Sequence, residues 1–193
     1  MGPTADRLIG LEIRLTYGNY SIIVFRSHVC YKLLMKSVAI LHDIRSVINV
    51  GAIFRTCDAV GISKLYLTGI TPTPLDRFGR VRNDLAKASL GAEKTVAWEF
   101  SQEVGPVLET FKNDKYKIIA IEQSSKAIDY KEVRKLLSAE EKVAFLVGNE
   151  VEGLSADLLD TCDIVAEIPM KGDKESLNVS TAFGIAVFRI LDI

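Results

Sequence analysis

Three short stretches hold the side chains whose types and spacing could do chemistry. The first is Asn49-Val50-Gly51-Ala52-Ile53-Phe54-Arg55, in which Asn49 and Arg55 lie six apart and can bracket a site at a helix start. Arg55 is either a surface partner of Asp58 or a planar fork of donors for phosphate or ribose oxygens. The second is Gly148-Asn149-Glu150-Val151-Glu152-Gly153-Leu154-Ser155, reached from the apolar run Phe145-Leu146-Val147. Gly148 has no side chain to keep a ligand from the backbone, Glu150 follows on the loop, and Ser155 is placed to cap a helix. The third is Ile168-Pro169-Met170-Lys171-Gly172-Asp173-Lys174-Glu175-Ser176-Leu177-Asn178, ahead of an apolar run to Ile193. It reads as a strand end, a polar loop and a helix capped by Ser176, so that Ser176 and Asn178 are presented beside free backbone N–H groups. Within that helix Leu177, Phe183, Ala186, Val187 and Ile190 recur at core-facing spacing.

These stretches exclude some chemistry. The chain has neither GxxxxGK[ST] nor GxGxxG, and the carboxylate of Glu150 would repel phosphate, so a neutral or cationic ligand suits the second loop better. Cys30, Cys57 and Cys162 are odd in number and show no CxxC pairing, which supports neither a disulfide framework nor a zinc site and leaves neutral thiols as the expectation. His42, after the first core strand, is expected to be a hydrogen-bonded structural residue, and neither it nor His28 is assigned to the site.

The elements that must position these residues alternate. Strands are expected at Ser37–Leu41, Lys64–Leu67, Thr95–Trp98, Lys117–Ile121, Lys142–Val147 and Ile164–Ile168. Helices are expected at 49–59 (stopped by Gly61), 82–89, 101–112 (with Pro106 in its first turns), 130–137, from Ser155, and over the C-terminal run; residues 71–80 read as a long loop. The class is α/β, a mostly parallel sheet with helices on both faces and ligands at the carboxyl ends of its strands. Ahead of it, Leu11–Tyr17 and Tyr20–Tyr31 read as a hairpin turning at Gly18-Asn19. Residues 1–36 are accordingly set apart as an N-terminal extension, and 37–193 as the main domain.

A chain of 193 residues with 48% hydrophobic content can bury a substantial core. No run near its start is long enough to span a bilayer and no signal-peptide order is seen, so a cytoplasmic protein without membrane association is expected. The net charge of −1 hides an uneven distribution: residues 37–91 carry seven Lys/Arg against four Asp/Glu. Four of those cations, Arg77, Arg80, Arg82 and Lys87, surround the long loop and are the candidates for contacts to a phosphate backbone, a solvated face being the alternative.

In this order and at these strand ends, the three stretches resemble the motifs of the SpoU/TrmH family of SPOUT methyltransferases, over about residues 37–193. The resemblance implies transfer of a methyl group from S-adenosylmethionine to a ribose 2′-hydroxyl of RNA, by a homodimer, with a deep trefoil knot in the C-terminal part and no metal. Carried over residue by residue, Gly148, Ile168, Met170 and Leu177 would cradle the cofactor. Asn49, Arg55, Glu150, Ser176 and Asn178 would form the catalytic and ribose-binding set, with Glu150 available to hold Arg55. Because guanidinium stays protonated, Arg55 is expected to orient the ribose and stabilise negative oxygen, with the proton acceptor left open. The extension is short for a separate RNA-binding domain, which favours tRNA slightly over rRNA. The rivals are a non-catalytic RNA-binding relative and a Rossmann-like nucleotide-cofactor enzyme, the latter disfavoured by the missing glycine fingerprint.

Overall fold

The apolar run beginning at Ser37 forms a strand buried on both faces, and the larger part of the molecule is built outward from it. The structure, a computed structural model, describes residues 13–17, 20–24 and 35–193, in two units, Met1–Met35 and Lys36–Ile193. In the first unit β1 (Ile13–Tyr17) and β2 (Tyr20–Val24) pair antiparallel with Tyr17 opposite Tyr20. The expected hairpin is therefore present in these two strands; its Gly18-Asn19 turn and the continuation to Tyr31 lie outside the described residues.

In the second unit β3 (Ser37–His42), β4 (Lys64–Thr68), β5 (Ala97–Ser101), β6 (Tyr116–Ile121), β7 (Ile128–Asp129), β8 (Lys142–Val147) and β9 (Ile164–Glu167) form one sheet in the order β5-β4-β3-β8-β6-β9-β7. Every pairing in it is parallel. Alternation along the strands sends Val38, Ile40, Ile118, Ala120, Ala144 and Leu146 into a core completed by Leu108 and Phe111 of α4 (Gly105–Asn113) and Leu158 and Leu159 of α6 (Ala156–Thr161). The opposite face is covered by α1 (Val47–Val60) and α7 (Val179–Ile190), which bury Val50, Ile53, Phe54 and Cys57, and Phe183, Ala186, Val187 and Ile190. Phe145 of β8 meets Phe183 edge to face at 6.4 Å, tying α7 to the middle of the sheet. Burying a ring of this size contributes about 1.5–3 kcal/mol.

Several boundaries move for local reasons. The helix expected from Ser101 begins at Gly105 because Pro106, lacking an N–H, fits only in a first turn. The strand expected at Thr95 begins at Ala97, since Leu90 (φ 53°) and Gly91 (φ 96°) end α2 (Asn83–Ser89) and a short α3 (Ala92–Thr95) intervenes. The helix near Tyr130 is α5 (Tyr130–Val133) followed by one 3₁₀ turn. The final helix is capped by Asn178, not Ser176: the Asn178 Oδ1 accepts from the N–H groups of Ser180 at 2.9 Å and Thr181 at 3.4 Å. That shift leaves Leu177 outside the helix and 38% exposed instead of in the core.

Candidate functional site

Strand ends bring the three stretches together, and their side chains form one hydrogen-bonded chain. The carboxylate of Glu150, on the loop after β8, accepts from the backbone N–H of Arg45 (2.9 Å) and Ser46 (3.0 Å) and from the Asn49 side-chain amide (2.9 Å). Asn49, on the first turn of α1, in turn accepts through its Oδ1 from the Asn178 side-chain amide at 2.9 Å. Asn178 uses its own Oδ1 to cap α7, so the chain runs from the β8 loop through α1 to the last helix. Partial burial works against charge on Glu150, yet the donors from Arg45, Asn49 and Ser46 outweigh it and hold the carboxyl below the usual range. Glu150 thus holds Asn49 and the entry to α1. Arg55, which it was expected to hold, is exposed farther along α1 and makes no hydrogen bond or ion pair among the described residues.

A cleft of about 580 Å³ opens at the carboxyl ends of β6, β8 and β9. Gly148, Ile168, Met170 and Leu177 all line it, as do Glu150, Ser176 and Asn178; Asn49 reaches it through its two bonded partners, and Arg55 is not on its wall. Sequence reasoning missed Glu122 and Asn149. Glu122 accepts from the Leu154 N–H at 3.0 Å and sits beside Gly153, which adopts φ 66° and has no room for a side chain there. Asn149, buried, donates to the Asp43 carbonyl at 3.0 Å and accepts from Val151 at 2.8 Å, closing the loop on itself. Glu122 directly follows one predicted core strand and Asn149 lies two residues past another, and the rule that ligands collect at carboxyl strand ends would have singled them out.

Gly148 has a reason for being glycine in addition to the ligand approach its position suggested. A Cβ there would lie 2.7 Å from the Gly153 carbonyl carbon and oxygen, so the missing side chain lets the loop fold back on its own strand. Among the described residues, the cleft wall carries Glu122, Glu150, Glu152, Glu167 and Glu175 and no Lys, Arg or His. Such a lining suits a cationic ligand and repels a phosphorylated one.

The basic residues occupy the same sheet edge but a different loop. Arg80 is bound by Asp76 and Arg82 by Asp84, each at 2.9 Å or less, and each aspartate is drawn below its usual value by its arginine. Arg77 and Lys87 are exposed, with no carboxylate partner among the described residues. His42 is structural, its Nδ1 3.0 Å from the Thr68 hydroxyl and its Nε2 3.3 Å from Asp43. Burial pushes the thiols of Cys57 and Cys162 up, the latter to about 11, so both are neutral near pH 7; Cys30 and His28 lie outside the described residues. Among the described residues no cluster of His, Cys, Asp and Glu is arranged to hold a metal, and no helix is long and apolar enough to cross a membrane.

The Glu150 geometry has a measurable consequence. Its folded carboxyl binds a proton more weakly than the unfolded one, so its stabilising contribution is complete above the ordinary carboxylate range and disappears as pH falls through the lowered folded value. A carboxyl-carbon NMR titration should place Glu150 below a free glutamate, and Glu150→Gln should flatten the acid limb of the stability curve. An ordinary glutamate value would show that the three donors do not act on it in solution.

Comparison with known proteins bears on the family and the fold. Residues 36–188 match the SpoU rRNA Methylase family. A tRNA (guanosine(18)-2′-O)-methyltransferase from Aquifex aeolicus is 33% identical over 144 residues, which cover 72% of this chain and 61% of that protein. A putative TrmH family tRNA/rRNA methyltransferase from Staphylococcus aureus is 28% identical, and the match covers 81% of this chain and 58% of that one. The chain thus spans about three fifths of the length of the curated relatives it matches. The crystal structure of an A. aeolicus TrmH/SpoU tRNA modifying enzyme superposes with a TM-score of 0.69 at 28% identity, over 83% of this chain and 76% of that one. An AdoMet-bound rRNA methyltransferase from Sinorhizobium meliloti shares the fold with a TM-score of 0.69 at 24% identity, covering 82% of this chain and 57% of that one. By its motifs, its parallel sheet and the match over most of its length, the chain belongs to the SpoU rRNA methylase family.

Proposed function

We propose that this protein transfers a methyl group from S-adenosylmethionine to a ribose 2′-hydroxyl of RNA, with tRNA favoured over rRNA. The observation that carries the reading is the cleft wall: five glutamates and, among the described residues, no cation, beside a glycine-bearing strand end. Bound there, S-adenosylmethionine supplies an electrophilic methyl on a positively charged sulfur, and the carboxylates favour that charge. Gly148, Ile168, Met170 and Leu177 would hold it. Nicotinamide or flavin dinucleotides, with their phosphates, fit this wall poorly. The relative at 33% identity carries a tRNA modification in its name, which supports the preference for tRNA.

The Glu150–Asn49–Asn178 chain would keep the loops in register around the ribose, with Ser176 beside them. Arg55 would orient the ribose and its phosphate and stabilise negative oxygen as the hydroxyl attacks. A homodimer supports that role. Arg55 shares a helix face with Ile48, 72% exposed, and the neighbouring α7 exposes Ile185 and Phe188 at 38% and 39%. A second copy of the chain packed on this apolar face would enclose Arg55. Sedimentation should give a dimer that Phe188→Asp converts to monomer; a wild-type monomer would remove this part of the reading.

Two finer features belong to the same proposal. Residues 37–193 form the methyltransferase domain, and its C-terminal part is knotted, with the 168–178 segment threaded between the loops after β6 and β8. Support comes from the Gln123 side chain, which donates to the Glu175 carbonyl at 2.6 Å, and from the Asn178–Asn49 bond. A chain beginning at Met35 should fold, bind S-adenosylmethionine and, when pulled from its ends, extend less than its contour length by the amount a tight knot retains. Full extension would exclude the knot, and an unfolded product would show that the first 34 residues complete the core. The tRNA and rRNA modification named for the relatives supports the cytoplasmic location proposed here.

The activity itself is tested by methyl incorporation from labelled S-adenosylmethionine into bulk RNA, followed by mapping of 2′-O-methyl positions. Arg55→Lys keeps the charge and loses the planar fork, so turnover should fall by roughly 10²-fold, the scale of one positioned transition-state donor, while cofactor affinity stays near wild type. No incorporation by the wild-type protein into any RNA would overturn the function, and near-normal turnover by Arg55→Lys would overturn its role.

A further inference from the structure

The long loop between β4 and α2 ends in a tip that the catalytic reading does not use. Leu75 and Val81 pair across it as an isolated antiparallel bridge. Inside that bridge Asp76 ties the turn together: its Oδ1 accepts from the N–H groups of Phe78 (2.8 Å) and Arg80 (2.9 Å), its Oδ2 accepts from the Arg80 Nε (2.8 Å), and its own N–H donates to the Arg80 carbonyl (2.8 Å). Gly79, at φ 76°, supplies the left-handed residue such a turn needs. This rigid tip presents Phe78, 66% exposed, to solvent. The guanidinium carbons of Arg77 and Arg80 stand 4.7 and 5.0 Å from the centre of its ring.

Phe78 is the most conspicuous part of a groove that also exposes the apolar side chains of Ile70 at 60%, Leu75 at 38% and Phe100 at 43%. The rim is cationic, but two of its three arginines are answered by Asp76 and Asp84, which leaves Arg77 as the guanidinium without a carboxylate among the described residues. One free cation beside one braced aromatic ring makes a weak site for a duplex backbone, which needs several phosphate contacts. It is well matched to a single nucleotide with an open base face and one flanking phosphate.

We infer that Phe78 is a stacking platform for an unpaired nucleobase of the RNA, with Arg77 holding the adjacent phosphate, so that the substrate class is RNA presenting its target in a single-stranded loop or end. This rests on the RNA reading above and deepens it. The parallel sheet puts the tip, which follows β4, on the same edge as the cofactor cleft after β6, β8 and β9, so a base stacked here belongs to the strand entering the site.

The test uses the full chain and two probes, a single-stranded oligoadenylate carrying one 2-aminopurine and the same strand annealed to its complement. Anisotropy should show preference for the single strand, and stacking should quench the 2-aminopurine. Phe78→Leu keeps an apolar side chain without a π face and leaves the Asp76 bonds to backbone intact; single-strand affinity should fall at least about tenfold and the quenching should vanish. Phe78→Trp should retain both, and all three proteins should bind S-adenosylmethionine equally by calorimetry. Equal affinity and quenching for Phe78→Leu and wild type would overturn the stacking role while leaving the RNA reading standing, and would turn the exposed tip toward a protein partner. A wild-type protein that binds S-adenosylmethionine but neither probe, and methylates no RNA, would overturn the RNA reading itself. Equal binding to single strand and duplex would overturn the unpaired-base specificity.

Discussion

One short chain of hydrogen bonds, Glu150 to Asn49 to Asn178, determines the geometry of the site. It joins residues 101 and 129 positions apart in sequence, and its two end members, Glu150 and Asn178, also accept from backbone N–H groups that would otherwise be left open at a helix start. Glu150 closes the entrance to α1, and Asn178 closes that of α7. The amide of Asn49 is committed at both ends, donating to a carboxylate and accepting from another amide, so its orientation is fixed by its partners. Replacing any one of the three leaves its neighbours with unpaired polar atoms, a cost larger than the bond removed.

The rest of the site follows from where the parallel sheet delivers its strand ends. Loops after β3, β4, β6, β8 and β9 all emerge on one edge, and polar side chains brace them against each other. Thr71 donates to carbonyls of Leu41 and Thr68 and accepts from the N–H of Ile44; Asp43 accepts from the N–H of Ile70; Asn149 donates to the carbonyl of Asp43. The loops thereby become walls of a preformed cleft, which lowers the ordering cost a ligand meets on entry.

Most of this fold was legible because its signals are local. Continuous apolar runs announced the buried strands, and Gly61 and Ser155 marked helix ends by their own chemistry, whereas the Ser46 cap of α1 emerged only with the structure. What stayed hidden was non-local. Ser176 and Asn178 are both good caps, and the choice of Asn178 depends on Asn49, distant in sequence, accepting its amide. Gly148 announced a close approach, but only the fold shows that the approaching backbone is Gly153. β7 is two residues long and exists only because β9 offers it an edge. The strands also carry nothing in their periodicity that reports sheet order, and β8 lies between β3 and β6 although it follows both in the chain.

Charge separates the two halves of the site more sharply than shape does. The cleft after β6, β8 and β9 is walled by carboxylates, whereas the loop after β4 carries arginines, two of them already matched by aspartates. A polyanion approaching this edge is repelled from the cleft and drawn to the loop, while a cation meets the opposite preference. The sign pattern therefore assigns each class of ligand its place before any specific contact forms. Because the arginines are held by Asp76 and Asp84 in fixed directions, the loop contributes orientation more than bulk attraction. That leaves the small net charge of −1 compatible with the RNA-binding surface proposed above.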